Sequence, residues 1–185
     1  LGPEFFKDGN AQATEAADYG TQAHGIIEKF LKDEITAGEA VSQAGSEPVE
    51  KAVVTALGWW DKNNFQVLKS ESMLYSKKFG YAGTCDIILR NSDGVILGDF
   101  KTSKGIYPEY KLQTVAYKYA AEEMTGERIP RVMIYRFGKD GSFQDYEVPQ
   151  AEHPALFDTF IDAKRLWTWQ HQENMTFSSQ SRAEK

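Results

Sequence analysis

The sequence predicts a mixed α/β fold whose strands are gathered in the middle of the chain. Three observations carry this. Apolar residues recur at helical spacing near both ends of the chain, three apolar, strand-like segments follow one another between Phe65 and Lys101, and a helix, a hairpin and a helix complete the order. A length of 185 residues suits one domain with a sizeable core, and fractions of 41% hydrophobic and 26% charged residues are those of an ordinary globular protein.

Taken in order, residues 1–12 begin with Leu1-Gly2-Pro3-Glu4-Phe5 and read as a tag or a disordered start. Ala13 to Ile35 is expected to be a helix on the stripe Ala23, Ile26, Ile27, Phe30 and Leu31. Thr36 to Gly45 reads as a polar, small-residue loop and a candidate cover. A second helix, Glu47 to Lys62, starts at Ser46 with Pro48 in its first turn and turns Val49, Val53, Ala56, Leu57 and Trp60 inward. The three central strands are Phe65–Phe79, Tyr81–Arg90 and Val95–Lys101, the last two joined by a turn ending in Asp93-Gly94. Glu109 to Met124 is a third helix with Leu112, Val115, Ala116, Tyr119 and Ala120 inward and Gly126 as its stop. Strands Arg131–Phe137 and Phe143–Val148 flank Asp140-Gly141. A last helix, Ala151 to Gln172, carries Leu156, Phe160, Ala163 and Trp167, and a polar tail over residues 175–185 is expected to fray.

Composition excludes several classes. No run of about 18 apolar residues exists, so no transmembrane helix is expected. The single cysteine, Cys85, builds neither a disulfide framework nor a four-cysteine iron–sulfur site, and points to a reducing compartment. The net charge of −6 argues against a polyanionic partner, yet Gln66 to Lys118 holds eight basic residues against five acidic ones. A local basic field steers a polyanion even on an acidic protein, and ordinary charge fluctuation explains the surplus equally well.

The chemistry concentrates in two short runs. Gly83-Thr84-Cys85-Asp86 and Gly98-Asp99-Phe100-Lys101-Thr102 lie on neighbouring strands. Side chains alternate along a strand, so Asp99 and Lys101 share a face, and pairing the strands brings the Asp86 and Asp99 carboxylates close. Two close carboxylates repel unless a proton or cation lies between them, and hard divalent cations take such oxygen ligands. Aspartate is a poor strand former, so Asp99 inside an apolar strand needs a partner. Gly98 signals that something approaches the backbone closely.

These runs, followed by Ser103 and by Gln113-Thr114-Val115-Ala116-Tyr117, resemble the PD-(D/E)XK nuclease superfamily and, within it, the RecB-like exonuclease branch. The resemblance covers Tyr19 to Tyr117. It implies a restriction-endonuclease-like core, a central mixed β-sheet of about five strands flanked by helices. It further implies Mg²⁺ or Mn²⁺ held by His24, Asp86, Asp99 and the Phe100 carbonyl, with Lys101 beside the phosphate and Glu71 near the metal. Gly20-Thr21-Gln22-Ala23-His24 matches the branch's histidine motif. Read alone, His24 is as well a structural or exposed histidine, Glu28 one turn on either orients it or is a solvated charge, and Glu71 is a surface strand acid. By the resemblance Gln113 and Tyr117, four apart on one helix face, contact the DNA backbone. Thr102, Ser103, Lys104 and Tyr107 are candidate phosphate contacts, whereas Trp59, Trp60, Phe65, Tyr75 and Tyr81 fit the core better than base stacking.

The expected activity is a metal-dependent exonuclease on single-stranded DNA ends, leaving 5′-phosphates, in the cytoplasm of a bacterium or encoded by a phage. No iron–sulfur cluster and no membrane are expected. A recombination or replication protein is the candidate partner. The alternatives are a structure-specific endonuclease and a non-catalytic or partner-dependent DNA-binding subunit.

Overall fold

The computed structural model describes the backbone of residues 10–180 and the side chains of residues 19–171. Three helices come first: α1 (Asn10–Leu31), α2 (Ala37–Gln43) and α3 (Glu47–Asp61). The antiparallel strands β1 (Gln66–Ser76), β2 (Tyr81–Asn91) and β3 (Gly94–Lys101) follow. Helix α4 (Pro108–Thr125) then carries the chain over to β4 (Arg131–Phe137), which lies parallel to β3, as such a pairing requires. Strand β5 (Phe143–Glu147) closes the sheet, and a short 3₁₀ turn leads into α5 (His153–Gln180). The result is one five-stranded mixed sheet in the order β1-β2-β3-β4-β5.

Alternation along the strands sorts the core into two layers. Ile87, Leu89, Ile96, Phe100, Met133, Tyr135 and Phe137 pack against Ala23, Ile27, Val53 and Trp59 of α1 and α3. On the other face Ile88 and Leu97 meet Ala120 and Ala121 of α4, and Val132 and Ile134 meet Val115 of α4 and Phe157 of α5. Asp99, Lys101 and Arg136 share the strand parity of this second face. Helix α4 starts with Pro108 in its first turn and stops at Gly126 with a φ of 70°, the start and stop residues such a helix favours.

The expected class and all five strands are present. Several expectations are corrected. The loop from Thr36 to Gly45 is largely helix α2, because Thr36 and Glu39 cap each other reciprocally: the Glu39 N–H donates to Thr36 Oγ1 and the Thr36 N–H donates to Glu39 Oε2. The final helix continues to Gln180, past the expected stop at Gln172 and through the start of the expected frayed tail. On that helix Trp167 is 57% exposed and Ala163 is exposed as well, because the core-facing side runs through Leu156, Phe157, Phe160 and Ile161 and the helix then leaves the sheet. Ser46 stands at the start of α3 as expected but makes no side-chain cap bond. Helix α1 begins at Asn10, so residues 10–12 are helical rather than part of a disordered start, and the expectations for residues 1–9 and 181–185 lie outside the described residues. Among the described residues no helix is long and apolar enough to cross a membrane.

Candidate active site

Strands β2 and β3 pair from Asn91–Gly94 to Ile87–Gly98, and there the ladder stops. The next pair in register is Asp86 and Asp99. The Phe100 N–H donates to the Asp86 carboxylate, at 2.5 Å from Oδ2, rather than to a strand carbonyl. A side chain has taken over the β2–β3 ladder at this point, while β2 itself runs on to Tyr81 paired with β1. Gly98 is explained by protein contacts alone: a Cβ there would lie 2.9 Å from Ile87 Cγ2 and from Tyr135 Cε2.

Asp99 is only 2% exposed. Lys101, on the same face of β3, brings Nζ to 2.6 Å from Asp99 Oδ2. The contact is one of charge and proximity, since that buried oxygen receives no aligned hydrogen bond. The Lys101 ammonium donates instead to Gln113 Oε1 at 3.1 Å and sits 4.8 Å from the centre of the Tyr110 ring. Gln113 Nε2 donates in turn to the Tyr117 hydroxyl at 2.9 Å. Gly83 makes room for this chain, because a Cβ at that position would fall 2.5 Å from Tyr117 Cε1.

His24 reaches the same place from α1. Its Nδ1 lies 4.0 Å from Asp86 Oδ2, and its ring stands edge-on to Phe100 with centroids 6.2 Å apart. Burial, aided by the Lys101 charge and opposed by Asp99, lowers the imidazole pKa below its usual value, which favours the neutral ring whose lone pair a ligand needs. Both carboxyls are pushed above the usual aspartate range. For Asp86 the cause is burial, opposed by the Phe100 N–H; for Asp99 it is burial reinforced by the Asp86 charge and opposed by Lys101.

Glu71 lies on β1 between the pairs Ser70–Ile87 and Ser72–Cys85, opposite Asp86. Its φ of 46° is a left-handed conformation that non-glycine residues rarely adopt and that concentrates at functional sites. Burial and the neighbouring Glu28 charge raise its pKa. Glu28 is ion-paired to Lys32, and its charge also acts on the His24 ring.

The donor set of a buried and a partly buried carboxylate with an imidazole suits a divalent cation, and Asp99 Oδ2, which receives no aligned hydrogen bond, is the kind of buried oxygen such a cation satisfies. Among the described residues, however, no three His, Cys, Asp or Glu side chains are gathered into a ready-made metal cluster. The cation now beside Asp99 is Lys101. Cys85 is buried and is the chain's one cysteine.

Beyond Lys101 the site opens into a cleft of about 860 Å³ between α1, the end of β3 and the β4–β5 turn. Thr102 and the exposed Lys104 line it. The Ser103 hydroxyl is already engaged, donating to the Gly105 carbonyl at 2.7 Å. Sequence reasoning missed Tyr110, Arg136 and Lys139, which line the same cleft. Arg136 was open to the argument used for Asp99, a charged residue inside an apolar strand. Trp59 and Phe65 belong to the aromatic core with Tyr135 and Phe137, and the Tyr81 hydroxyl is bonded to the Ala116 carbonyl.

No family model and no curated protein matches the sequence. Among solved structures, the chain is similar in fold to a crystal structure from Eubacterium rectale of a protein provisionally named an exonuclease, with a TM-score of 0.51, 10% identity, and coverage of 81% of this chain. The match spans 66% of that protein's length. At such low identity the likeness is one of fold alone. A looser match, to the protein SSO0001, has a TM-score of 0.36 at 17% identity over 77% of this chain and 72% of that one, and carries no argument.

Proposed function

We propose that this chain is a metal-dependent deoxyribonuclease of the PD-(D/E)XK, RecB-like type, an exonuclease working from single-stranded ends and leaving 5′-phosphates. The observation that carries the proposal is the end of the β2–β3 ladder, where Asp86 and the buried Asp99 converge with Lys101 on the face of Asp99. The provisional name of the protein from Eubacterium rectale agrees with it.

In this reading Asp86, Asp99, His24 and the Phe100 carbonyl would hold Mg²⁺ or Mn²⁺, and Glu71 would serve a second cation. The chemistry such a metal would supply is an acidified water near neutral pH and withdrawal of charge from a phosphate oxygen. Lys101 stabilises the negative charge that grows on the phosphate, and Gln113 and Tyr110 keep its ammonium in place. Tyr117 fixes Gln113 from behind. Thr102, Ser103 and Lys104 lie along the path of the strand, with the Ser103 hydroxyl shaping the loop. A recombination or replication protein is the partner this reading expects.

The test is degradation of end-labelled single-stranded and duplex DNA with Mg²⁺, Mn²⁺ or EDTA, beside Lys101→Ala. Metal-dependent loss from one end is expected, slowed by a factor of about 10² to 10³ in the variant, the range for removing one charge-stabilising group. Cleavage at internal sites would favour the endonuclease reading. Inert wild type and variant that both still bind DNA would favour a non-catalytic or partner-dependent module.

A further inference from the structure

Arg136 is a buried cation whose counter-charge, the exposed Asp140, reaches it only through the bridging Ser142 hydroxyl. It is 9% exposed, and among the described residues no carboxylate lies within 4 Å of its guanidinium. Its partners are neutral: Nε donates to the Ser103 carbonyl at 2.7 Å and Nη1 to Ser142 Oγ at 3.0 Å. Buried arginines are ordinarily paired, because an uncompensated charge away from water is unfavourable. The arrangement is also tight, since a Cβ on Gly138 would meet Arg136 Nη2 at 2.8 Å.

The neighbours add to the positive charge. Lys101 and Arg136 are register partners on the adjacent parallel strands β3 and β4, so two cations stand on one face, of which Lys101 is already paired with Asp99. Lys104 and Lys139 line the same cleft, the latter with Nζ over the Tyr19 ring at 4.6 Å. One acid lines it, Asp140, and its Oδ1 is occupied by the Ser142 N–H and hydroxyl at 3.0 and 2.5 Å. With Nε and Nη1 engaged by the protein, Nη2 is the guanidinium nitrogen left to donate, and together with the flanking ammonium groups it suits a phosphate oxygen.

We propose that Arg136, flanked by Lys104 and Lys139, is a phosphate-binding subsite that holds a phosphate group of the nucleic-acid strand beside the one that is cleaved. The proposal rests on the nuclease reading for its choice of ligand. The phosphate is either a terminal monoester or the next diester of the backbone.

The test is binding of labelled single-stranded oligonucleotides, with a 5′-phosphate or a 5′-hydroxyl, to the full chain in EDTA across a salt series. Arg136→Gln and Lys139→Gln are each expected to weaken binding about tenfold and to reduce the salt slope by about 1. A preference of wild type for the 5′-phosphorylated strand, lost in both variants, assigns a terminal phosphate; equal weakening for both strands assigns a backbone diester. Arg136 also anchors the Ser103 carbonyl, so its variant can fail by misfolding. Lys139 is exposed and bears no such load, and Lys139→Gln is decisive alone. Lys139→Gln with wild-type affinity and salt slope overturns the subsite. Wild type that does not cleave DNA but loses affinity in both variants overturns the nuclease reading and leaves the subsite standing.

Discussion

Asp99 is buried and Asp86 partly so, and they differ in what opposes that burial: a backbone N–H for Asp86, an ammonium for Asp99. With both pKa values raised, the folded chain without metal keeps protons that the unfolded chain has already released. Its stability therefore falls as pH rises from the usual aspartate range toward neutrality. Asp86→Asn removes one of the two charges and keeps an oxygen for the Phe100 N–H. In EDTA at pH 7.5 it is expected to raise Tm by about 2–4 °C, roughly 1 kcal/mol for a chain of this size, and to flatten the fall with pH. Thermal melts across pH check this, and a lower Tm would show that the carboxylate stabilises the fold instead. At this scale strand alternation was enough to place Asp99 beside Lys101 from the sequence. Arg136 carries the same local mark as Asp99, a charge inside an apolar strand, but its place beside Lys104 and Lys139 emerges only when β4 and the turn to Ser142 are in place.

At the scale of elements, the contact of α4 with β2 runs through one missing side chain. Gly83→Ala forces a Cβ into the Tyr117 ring, and the ring can move only by releasing Gln113, which holds Lys101. The variant is expected to lose about 1–3 kcal/mol of stability, the usual range for overpacking, and to lower kcat more than it raises KM. Melting and steady-state assays separate the two effects, and wild-type kcat would mean that the chain from Tyr117 to Lys101 does not matter for turnover. The helix-spaced stripes and apolar strands were readable because their periods are long and regular. Helix α2 was not, because Ala37, Gly38 and Ser42 resemble a loop and the helix is held by the Thr36–Glu39 cap, a signal of two residues.

At the scale of the molecule, the site lies where the two helical layers meet the end of the sheet, whereas the far half of α5 extends away from both. Leu166, Trp167 and Trp169 are 56%, 57% and 70% exposed. Trp169→Lys is expected to leave Tm unchanged to within about 0.5 kcal/mol, as surface changes do, and to reduce self-association at high concentration. Melting and light scattering test both, and a marked fall in Tm would mean that α5 packs further along its length. The sequence placed this helix but not its facing, since Trp167 sits on the apolar period and only the distance from the sheet leaves it bare. The one place where sheet and chemistry cannot be separated is Asp86. A carboxylate has two oxygens, and here one closes the last rung of a strand while the other is left to whatever the site binds. The residue is a hinge pin that doubles as a tool. Asparagine keeps the pin and blunts the tool, and alanine removes both. The difference between those two variants therefore measures how much of this protein's work is architecture.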